Sequence, residues 1–499
     1  MLWDFIRNSR SNRFYLIGAL SASFTLFGIL KIYYPFPQII FDSYNYIKAA
    51  VYNWDTNAWP IGYSKFLQLF GLFSHSALAL VFLQHIFLAI SLLYFFFTWR
   101  FFFRPGKYIS LTLFVLLFLN PLFLFCSNYI LSDALFIGLS VLWITELLWI
   151  IYQPRPYRVF TNAFLLTMAF TIRYNALYYP LIGAFTFLLS RYSLRWKITG
   201  IVLPFLLAGA FVFYTGSGIA AVTGEWQFSP FGSWKLANDA IYAYAHVLPA
   251  KADVVPEKFR PLDSTVRQYF AGAHDSVDFL DNDFTSGSFY MFHTSSPLVK
   301  YMDLQYGKGW PFLNTKKWLL VSPLYQAYGS YLIRKYPMAF ARYFLWPNCL
   351  RYITPPPEIF GLQTSFEFHD ECGGAALQKW LGFHRFEENK AAIAFYLDIL
   401  KPFPYLFRII HLLFIIGLAG FTLCKGFRNI QAPYLYCLLL VALLWLVDIS
   451  FSLLAAGIVL RYQLFMMIME AAFGLYFVEY ICRYLDRNRS GSLLATPVS

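Results

Sequence analysis

The sequence predicts an all-α polytopic membrane protein with about ten transmembrane helices and a large extracytoplasmic insert of mixed secondary structure. Three observations support this fold class. Hydrophobic residues make up 59% of the 499 residues and charged residues only 13%, whereas a soluble domain carries about 25% charge. Long apolar runs alternate with short polar segments, as expected for helices that cross a bilayer. Aromatic residues reach 21%, and Trp and Tyr favour the membrane–water interface.

The apolar runs divide the chain into three modules. The first run has about 20 residues and lacks a small-residue cleavage site, so we expect an uncleaved first span. The stretch 159–190 is interrupted by Arg173-Tyr174-Asn175 and predicts two short helices that meet on the outer side. The other predicted spans are 14–34, a run ending near Trp99, 108–126, 132–152, a run ending near 218, 403–424, 434–459 and 463–482. The modules are therefore 1–218 with seven spans, the insert 219–402, and 403–499 with three spans and a tail.

The distribution of charge indicates the topology. The net charge is +13, but basic and acidic residues are equally numerous in the insert. The excess therefore lies in small basic clusters beside the spans, which is the positive-inside pattern rather than a nucleic-acid surface. A cytoplasmic N-terminus places every cluster inside, the C-terminus inside and the insert outside. The insert's most apolar part, 318–346, contains charges and proline and predicts an aromatic-rich surface helix. The composition favours a bacterial inner membrane.

Seven ionisable residues from separate parts of the sequence fall at the predicted outer face. Such residues near a membrane are candidates for function. Asp42 and Asp133 each offer a carboxylate for general-base chemistry, or each caps a helix. Arg173 and Arg461 match phosphate oxygens with a guanidinium fork, or they reach lipid headgroups. The full set is Asp42, Lys48, Asp55, Lys65, Asp133, Arg173 and Arg461.

Three carboxylates, those of Glu146, Asp448 and Glu470, lie deeper in the predicted spans. Hydrogen-bonded internal packing is one interpretation, and a proton or ion path is the other.

The insert and the cysteines offer weaker signals. The triplet His369-Asp370-Glu371, with Glu367 before it, contains metal-ligating residue types, but adjacent residues rarely all reach one ion. An acidic run lacks the glycine and the closing Glu of an EF-hand, so a solvated loop is expected rather than a calcium site. Cys349 and Cys372 share the insert, where they would form a disulfide or stay free thiols. The acidic run consists of Asp275, Asp278, Asp281 and Asp283.

Short motifs follow one another at the predicted span ends. They are Asp42 with Tyr46, Trp59-Pro60-Ile61-Gly62-Tyr63, Asn120-Pro121, Ser132-Asp133-Ala134-Leu135-Phe136, Thr171-Ile172-Arg173-Tyr174-Asn175 and Arg461-Tyr462. In this order the sequence resembles the GT-C superfamily of membrane glycosyltransferases, in the branch of the protein O-mannosyltransferases and aminoarabinose transferases. The resemblance covers 10–215 well and 403–482 loosely. The common family motif is Asp-Glu, and Ser43 stands here in place of the Glu.

The resemblance implies an inverting transfer of a sugar from a polyprenyl-phosphate carrier to an acceptor on the outer face. It implies Asp42 as the base, and a phosphate held by Arg461, Arg173 and Lys65. Asp133 would position the acceptor, or a divalent cation if one takes part; otherwise no cofactor is implied. The acceptor would be a lipid, a glycan or a protein. The neighbouring Tyr46, Tyr63, Tyr174 and Tyr462 would contact substrate.

Three other functions are compatible with the sequence. A glycan polymerase or ligase of the O-antigen type also has many spans and a large outer loop, but it would carry its key arginines in that loop. A transporter or lipid flippase would need ionisable residues at mid-membrane, as Glu146, Asp448 and Glu470 provide. A structural membrane protein without chemistry is the third.

Overall fold

The computed structural model describes residues 1–247, 255–272, 287–307, 315–357, 374–381 and 398–489. These residues are helical or irregular, and the only β pairing among them is an isolated bridge between Gln38 and Tyr129. The described residues of the insert are thus helical, where mixed secondary structure was expected. The metal-ligating triplet at 369–371, the acidic run at 275–283 and Cys372 lie outside the described residues.

The chain begins with eleven α-helices that precede the insert. They are α1 (Leu2–Asn8), α2 (Arg10–Tyr33), α3 (Phe41–Val51), α4 (Gly62–Gly71), α5 (Ala77–Phe103), α6 (Lys107–Phe118), α7 (Pro121–Asn128), α8 (Asp133–Tyr152), α9 (Pro156–Ile172), α10 (Tyr179–Leu189) and α11 (Leu194–Thr223). A 3₁₀ helix, Tyr174–Tyr178, joins α9 to α10.

The remaining helices belong to the insert and the C-terminal module. In the insert they are α12 (Pro230–Tyr244), a 3₁₀ turn (Glu257–Phe259), α13 (Arg260–Gly272), α14 (Phe289–Phe292), α15 (Pro297–Tyr306), α16 (Thr315–Lys335), α17 (Pro337–Phe340), a π-helical turn (Ala341–Leu345), α18 (Trp346–Ile353) and α19 (Gly374–Leu381). After it come α20 (Phe403–Leu423), α21 (Gly426–Asn429), α22 (Ala432–Ala455), a 3₁₀ turn (Leu460–Gln463) and α23 (Leu464–Arg489).

Eight helical segments of the described chain are long and apolar enough to cross a membrane. A helix rises about 1.5 Å per residue, so about 20 apolar residues span the hydrocarbon core. The protein therefore has the architecture of a polytopic α-helical membrane protein. The segments are Arg10–Tyr33, Ala77–Phe103, Lys107–Asn128, Asp133–Tyr152, Leu194–Thr223, Asp398–Leu423, Ala432–Ala455 and Leu460–Asp486.

The predicted interruption near Arg173 is present. Helix α9 has 17 residues and ends at Ile172, Arg173 adopts an extended conformation, and the 3₁₀ helix follows. Helix α9 is about 26 Å long at 1.5 Å per residue, and α10 is shorter still. These are the two short helices that the sequence predicts in addition to the eight long ones.

Helix α8 lies at the centre of the bundle. Almost every residue along it is buried, and it packs against α5, α9, α10, α22 and α23. In contrast, α2 and α11 expose most of their apolar side chains, which is stable where lipid covers them. The residue that begins α8, Asp133, consequently belongs to a helix that is buried along almost its whole length.

The described part of the insert packs around the pair α12 and α16. Gly329 of α16 allows this close crossing, because an added Cβ would lie 2.8 Å from the backbone of Leu236. The side chains of Trp234 and Trp318 stack at 4.0 Å between the two helices. One face of α16 thus belongs to the core of the described part of the insert, and α16 is not among the candidate membrane spans of the described chain.

A buried ion pair stabilises the other end of α8. Arg158 Nη1 donates to Glu146 Oε2 at 2.6 Å, and Tyr94 Oη donates to Oε1 at 2.6 Å. Both charged side chains are less than one-tenth exposed. Internal packing, one of the two interpretations of Glu146, agrees with these contacts.

We expect Arg158→Met to destabilise the protein by roughly 3–5 kcal/mol, because it leaves the Glu146 carboxylate buried without its counter-charge. Thermal unfolding in detergent measures the effect. The double variant Arg158→Met/Glu146→Gln removes both charges and should recover part of the loss. An unchanged unfolding temperature in the single variant would contradict a structural role for the pair.

Candidate functional site

A short stretch of paired backbone brings the two candidate carboxylates together. Gln38 N–H donates to Asn128 C=O at 2.9 Å, and Ile130 N–H donates to Gln38 C=O at 3.0 Å. The segments that precede α3 and α8 therefore run side by side in the same direction. Asp42 and Asp133 follow this bridge by four residues each, so both fall in the first turn of a helix beside it.

Neither carboxylate occupies the N-cap position of its helix. The N-cap of α3 is Ile40, whose N–H donates to Ser43 Oγ at 3.1 Å. The N-cap of α8 is Ser132, and its hydroxyl lies 3.3 Å from Tyr46 Oη. The structure therefore does not support the interpretation of Asp42 and Asp133 as N-cap residues. The positive ends of the two helix dipoles still favour negative charge in these first turns.

The Asp133 carboxylate is shared by two arginines from distant parts of the chain. Arg173 Nη1 donates to Oδ1 at 2.5 Å, and Arg461 Nη1 donates to Oδ2 at 3.2 Å. The side chains of Asp133 and Arg461 are 5% and 7% exposed, and that of Arg173 is 17% exposed. Each guanidinium has five N–H donors in a planar fork, and the hydrogen bond to Asp133 uses one of them in each arginine.

Local backbone features direct the arginines toward Asp133. Arg173 terminates α9 in an extended conformation, and Arg461 lies in the 3₁₀ turn between α22 and α23. The start of α4 packs tightly on the end of α9, since a Cβ at Gly62 would lie 2.5 Å from the Thr171 carbonyl oxygen. The glycine in the Trp59–Tyr63 motif is thus required by close approach to the segment that carries Arg173.

Asp42 is the more accessible of the two carboxylates. It is partly exposed, whereas Asp133 is buried. Removal from water raises the pKa of Asp42, and the nearby Asp133 raises it further, while Arg461, Arg173 and the Trp59 side chain oppose the shift. The balance is a raised pKa, because desolvation is the largest of these effects.

Two of the four candidate tyrosines lie at this cluster. The Arg173 and Arg461 guanidinium carbons are each 5.1 Å from the centre of the Tyr462 ring, which is within cation–π range. The hydroxyl of Tyr46 lies 3.3 Å from that of Ser132. Tyr46 also interacts electrostatically with Asp42, Arg173 and Asp133.

The other two tyrosines are engaged elsewhere. Tyr63 packs edge-on against Tyr46 at 4.9 Å, but its hydroxyl donates to Gln84 Oε1 at 2.7 Å. Tyr174 packs against Phe228 and Phe170, with ring centres 4.5 Å and 5.8 Å away. Tyr63 therefore packs behind Tyr46. Tyr174 packs against Phe228, at the start of the insert.

Lys65 does not join the arginines. Its Nζ donates to Asn53 Oδ1 at 2.9 Å and to Asp55 Oδ1 at 3.2 Å. Asp55 is 73% exposed, so this is a surface ion pair of small energetic weight. The structure thus unites Asp42, Asp133, Arg173, Arg461, Tyr46 and Tyr462, and leaves Lys65 in a separate exposed pair.

The cluster does not fit a divalent cation. Such ions take six or more oxygen ligands, several of them carboxylate oxygens. Both Asp133 oxygens accept from arginines, which leaves Asp42 as the one remaining carboxylate among the described residues of the cluster, and two guanidiniums repel a cation. Within the residues that the structure describes, no group of three or more His, Cys, Asp or Glu side chains is arranged to hold a metal.

A second polar cluster lies between the C-terminal helices. Asp448 accepts from Tyr178 Oη at 2.8 Å and from Tyr352 Oη at 3.0 Å. His411 Nδ1 pairs with Glu470 Oε2, and both side chains are almost fully buried. The sequence singled out Asp448 and Glu470 but not His411, although a histidine inside an apolar span was a usable signal.

Comparison with protein-family models, with curated proteins and with solved structures gives no match for this chain.

We expect Asp133→Asn to destabilise the protein by roughly 3–5 kcal/mol, since it leaves two largely buried guanidiniums without their shared counter-charge. Thermal unfolding in detergent tests this against Asp55→Asn, which removes the exposed partner of Lys65 and should change stability by no more than about 0.5 kcal/mol. Equal effects of the two substitutions would show that the arginines do not depend on Asp133.

Proposed function

We propose that the protein is a GT-C-type glycosyltransferase that moves a sugar from a polyprenyl-phosphate donor to an acceptor hydroxyl. The observation that carries the proposal is the carboxylate of a half-buried residue, Asp42, beside two arginines that share the buried carboxylate of Asp133. Acceptor activation needs a base, and departure of the lipid phosphate needs fixed positive charge. The cluster offers both within one site.

In the proposed reaction the acceptor oxygen attacks the anomeric carbon from the face opposite the phosphate. The acceptor O–H bond breaks, and its proton passes to the Asp42 carboxylate. The new glycosidic bond forms as the bond between the anomeric carbon and the phosphate oxygen breaks, so the anomeric configuration inverts. The electron pair leaves with the polyprenyl phosphate, whose charge the guanidiniums of Arg173 and Arg461 stabilise.

Asp133 has a supporting role in this proposal. Its two oxygens hold the two arginines at a fixed separation, so the phosphate meets donors that need no rearrangement. This differs from the role that the resemblance implies, in which Asp133 positions the acceptor. Tyr462 lies against both guanidiniums and offers an aromatic surface next to the sugar.

The proposed location is the outer face of a bacterial inner membrane, with both chain termini in the cytoplasm. The cluster forms where α3, α8 and α9 and the turn before α23 meet. The positive-inside pattern supports an outward orientation for this end. The insert follows α11 and would lie on the same side, next to an acceptor that is a lipid, a glycan or a protein.

Transport is a second candidate function, favoured by the buried pair of His411 and Glu470 and by Asp448 on the neighbouring helix. Ionisable groups between membrane helices can carry protons or ions. A transporter would lose its activity when His411 or Glu470 is changed and would tolerate the loss of the Asp42 carboxylate.

The direct test is release of free polyprenyl phosphate from a panel of polyprenyl-phosphate sugars by purified protein with native lipid extract. We expect release by the wild type and a loss of at least about 100-fold in Asp42→Asn, the lower end of the range for general-base catalysis. Lys65→Gln serves as the matched control, because its exposed ion pair lies apart from the arginines.

The outcomes separate the hypotheses. Release that survives Asp42→Asn would refute the assignment of the base but not the donor class. Absence of release from every donor, with folded protein and acceptor lipids present, would refute the glycosyltransferase proposal.

The pH dependence provides an independent test of the base. Asp42 must be ionised to accept a proton, and its pKa is raised by burial, so kcat/KM should rise with pH through an apparent pKa above the ordinary value of about 3.9. Asp42→Glu should keep a rising limb at a shifted position, and Asp42→Asn should lack it. A limb that is identical in wild type and Asp42→Asn would assign the titration to another group.

A further inference from the structure

We propose that Asn348 of the insert is a positioning residue for Arg461, and that the insert thereby controls the geometry of the arginine pair. The inference rests on the proposed function only in giving Arg461 a phosphate to bind. It begins with the segment 456–459, which joins α22 to the 3₁₀ turn that contains Arg461.

This segment is irregular yet buried. Ile458, Val459 and Leu460 are at most 3% exposed, and the segment lies between the end of α22 at Ala455 and the 3₁₀ turn that starts at Leu460. Buried backbone N–H and C=O groups need hydrogen-bond partners, and the last carbonyls of a helix have none within the helix itself. A partner must therefore come from another part of the chain.

Asn348 supplies three of the required hydrogen bonds. Its Nδ2 donates to the carbonyl of Leu453 at 3.1 Å and to that of Ala456 at 2.7 Å. Its Oδ1 accepts from the N–H of Ile458 at 2.8 Å. The Asn348 side chain is completely buried. One amide thus closes the end of α22 and sets the direction in which the chain leaves it, three residues before Arg461.

Other contacts from the insert act on the same segment. The Leu460 N–H, adjacent to Arg461, donates to the Pro356 carbonyl at 3.1 Å. A Cβ at Gly457 would lie 2.7 Å from the Gly287 Cα, so the insert backbone touches the segment directly. Tyr352, one turn after Asn348 on α18, bonds Asp448 of α22. Helix α18 is therefore docked along the end of α22 at two points.

The position of Arg461 matters because, in the proposed function, it binds both Asp133 and the substrate phosphate. It contacts Asp133 at 3.2 Å across the bundle, and it must keep further donors aimed at the substrate phosphate. Misplacement of a catalytic group by about 1 Å can cost 100-fold in rate. We therefore infer that loss of the Asn348 amide releases the segment and lets Arg461 move away from its productive position.

The test compares Asn348→Ala with Gln227→Ala in the full-length protein. Gln227 is a suitable control, because it is a buried amide of the insert that bonds Leu319 and Ser322 and does not contact the segment 456–459. Hydrogen exchange of peptides covering 456–463 measures how well the Asn348 hydrogen bonds protect this segment, and it does not depend on any activity. Polyprenyl-phosphate release is measured for Asn348→Ala in the protein with Arg461 and in the Arg461→Lys variant. The difference between the two effects gives the coupling between Asn348 and Arg461.

We expect Asn348→Ala to lose exchange protection in 456–463 and to lower kcat/KM for the donor by about 10-fold to 100-fold. In the Arg461→Lys background the same substitution should lower it by less than about twofold. Asn348→Asp, which keeps the acceptor for Ile458 and loses the two donors, should fall between wild type and Asn348→Ala. Gln227→Ala should leave the protection of 456–463 unchanged.

Two results would overturn the inference. The first is unchanged exchange of 456–463 in Asn348→Ala, and the second is an equal loss of kcat/KM in both Arg461 backgrounds. Failure of the proposed function has a different signature, namely no donor release by the wild type. In that case, lost protection confined to 456–463 in Asn348→Ala would still support the positioning of Arg461.

Discussion

The Asp133 carboxylate accepts hydrogen bonds from Arg173 and Arg461, and this shared contact ties together three parts of the chain. Charges are expensive to bury unless they are paired, so two arginines at the buried end of a helix bundle require such a partner. The pairing fixes the end of α9, the start of α8 and the turn before α23 relative to one another. The backbone bridge between Gln38 and Tyr129 then places Asp42 next to this pairing.

The division of labour between the two aspartates follows from their surroundings. Asp133 is buried and each of its oxygens accepts from one arginine, so it serves as the counter-charge of both. Asp42 is partly exposed and has a raised pKa, so its protonation state can change when a substrate arrives. Two carboxylates with different environments can perform different tasks in one site. This asymmetry is what makes Asp42 the stronger candidate for the base.

Sequence patterns predicted the membrane helices well, because length and apolarity decide which segments can cross a bilayer. They also predicted the interruption at Arg173, since its Arg-Tyr-Asn run breaks an otherwise apolar stretch. The pairing of Asp133 with both arginines was not predictable, because partners 40 and 328 residues away are brought together only by tertiary packing. The resemblance implied that Lys65 would bind phosphate with the arginines, but in the structure Lys65 forms an exposed ion pair with Asp55.

The resemblance implies that the insert 219–402 helps to bind the acceptor, and its described residues also contact the C-terminal module directly. Asn348 satisfies backbone groups that the C-terminal module cannot satisfy by itself. Without it, the buried segment before Arg461 would contain unpaired N–H and C=O groups. Such groups cost free energy when they are buried away from water. The irregular backbone that allows Arg461 to reach Asp133 is consequently stable only while the insert is docked. An insertion that contacts an acceptor and also holds a donor-binding arginine would place both substrates under the control of one structural element.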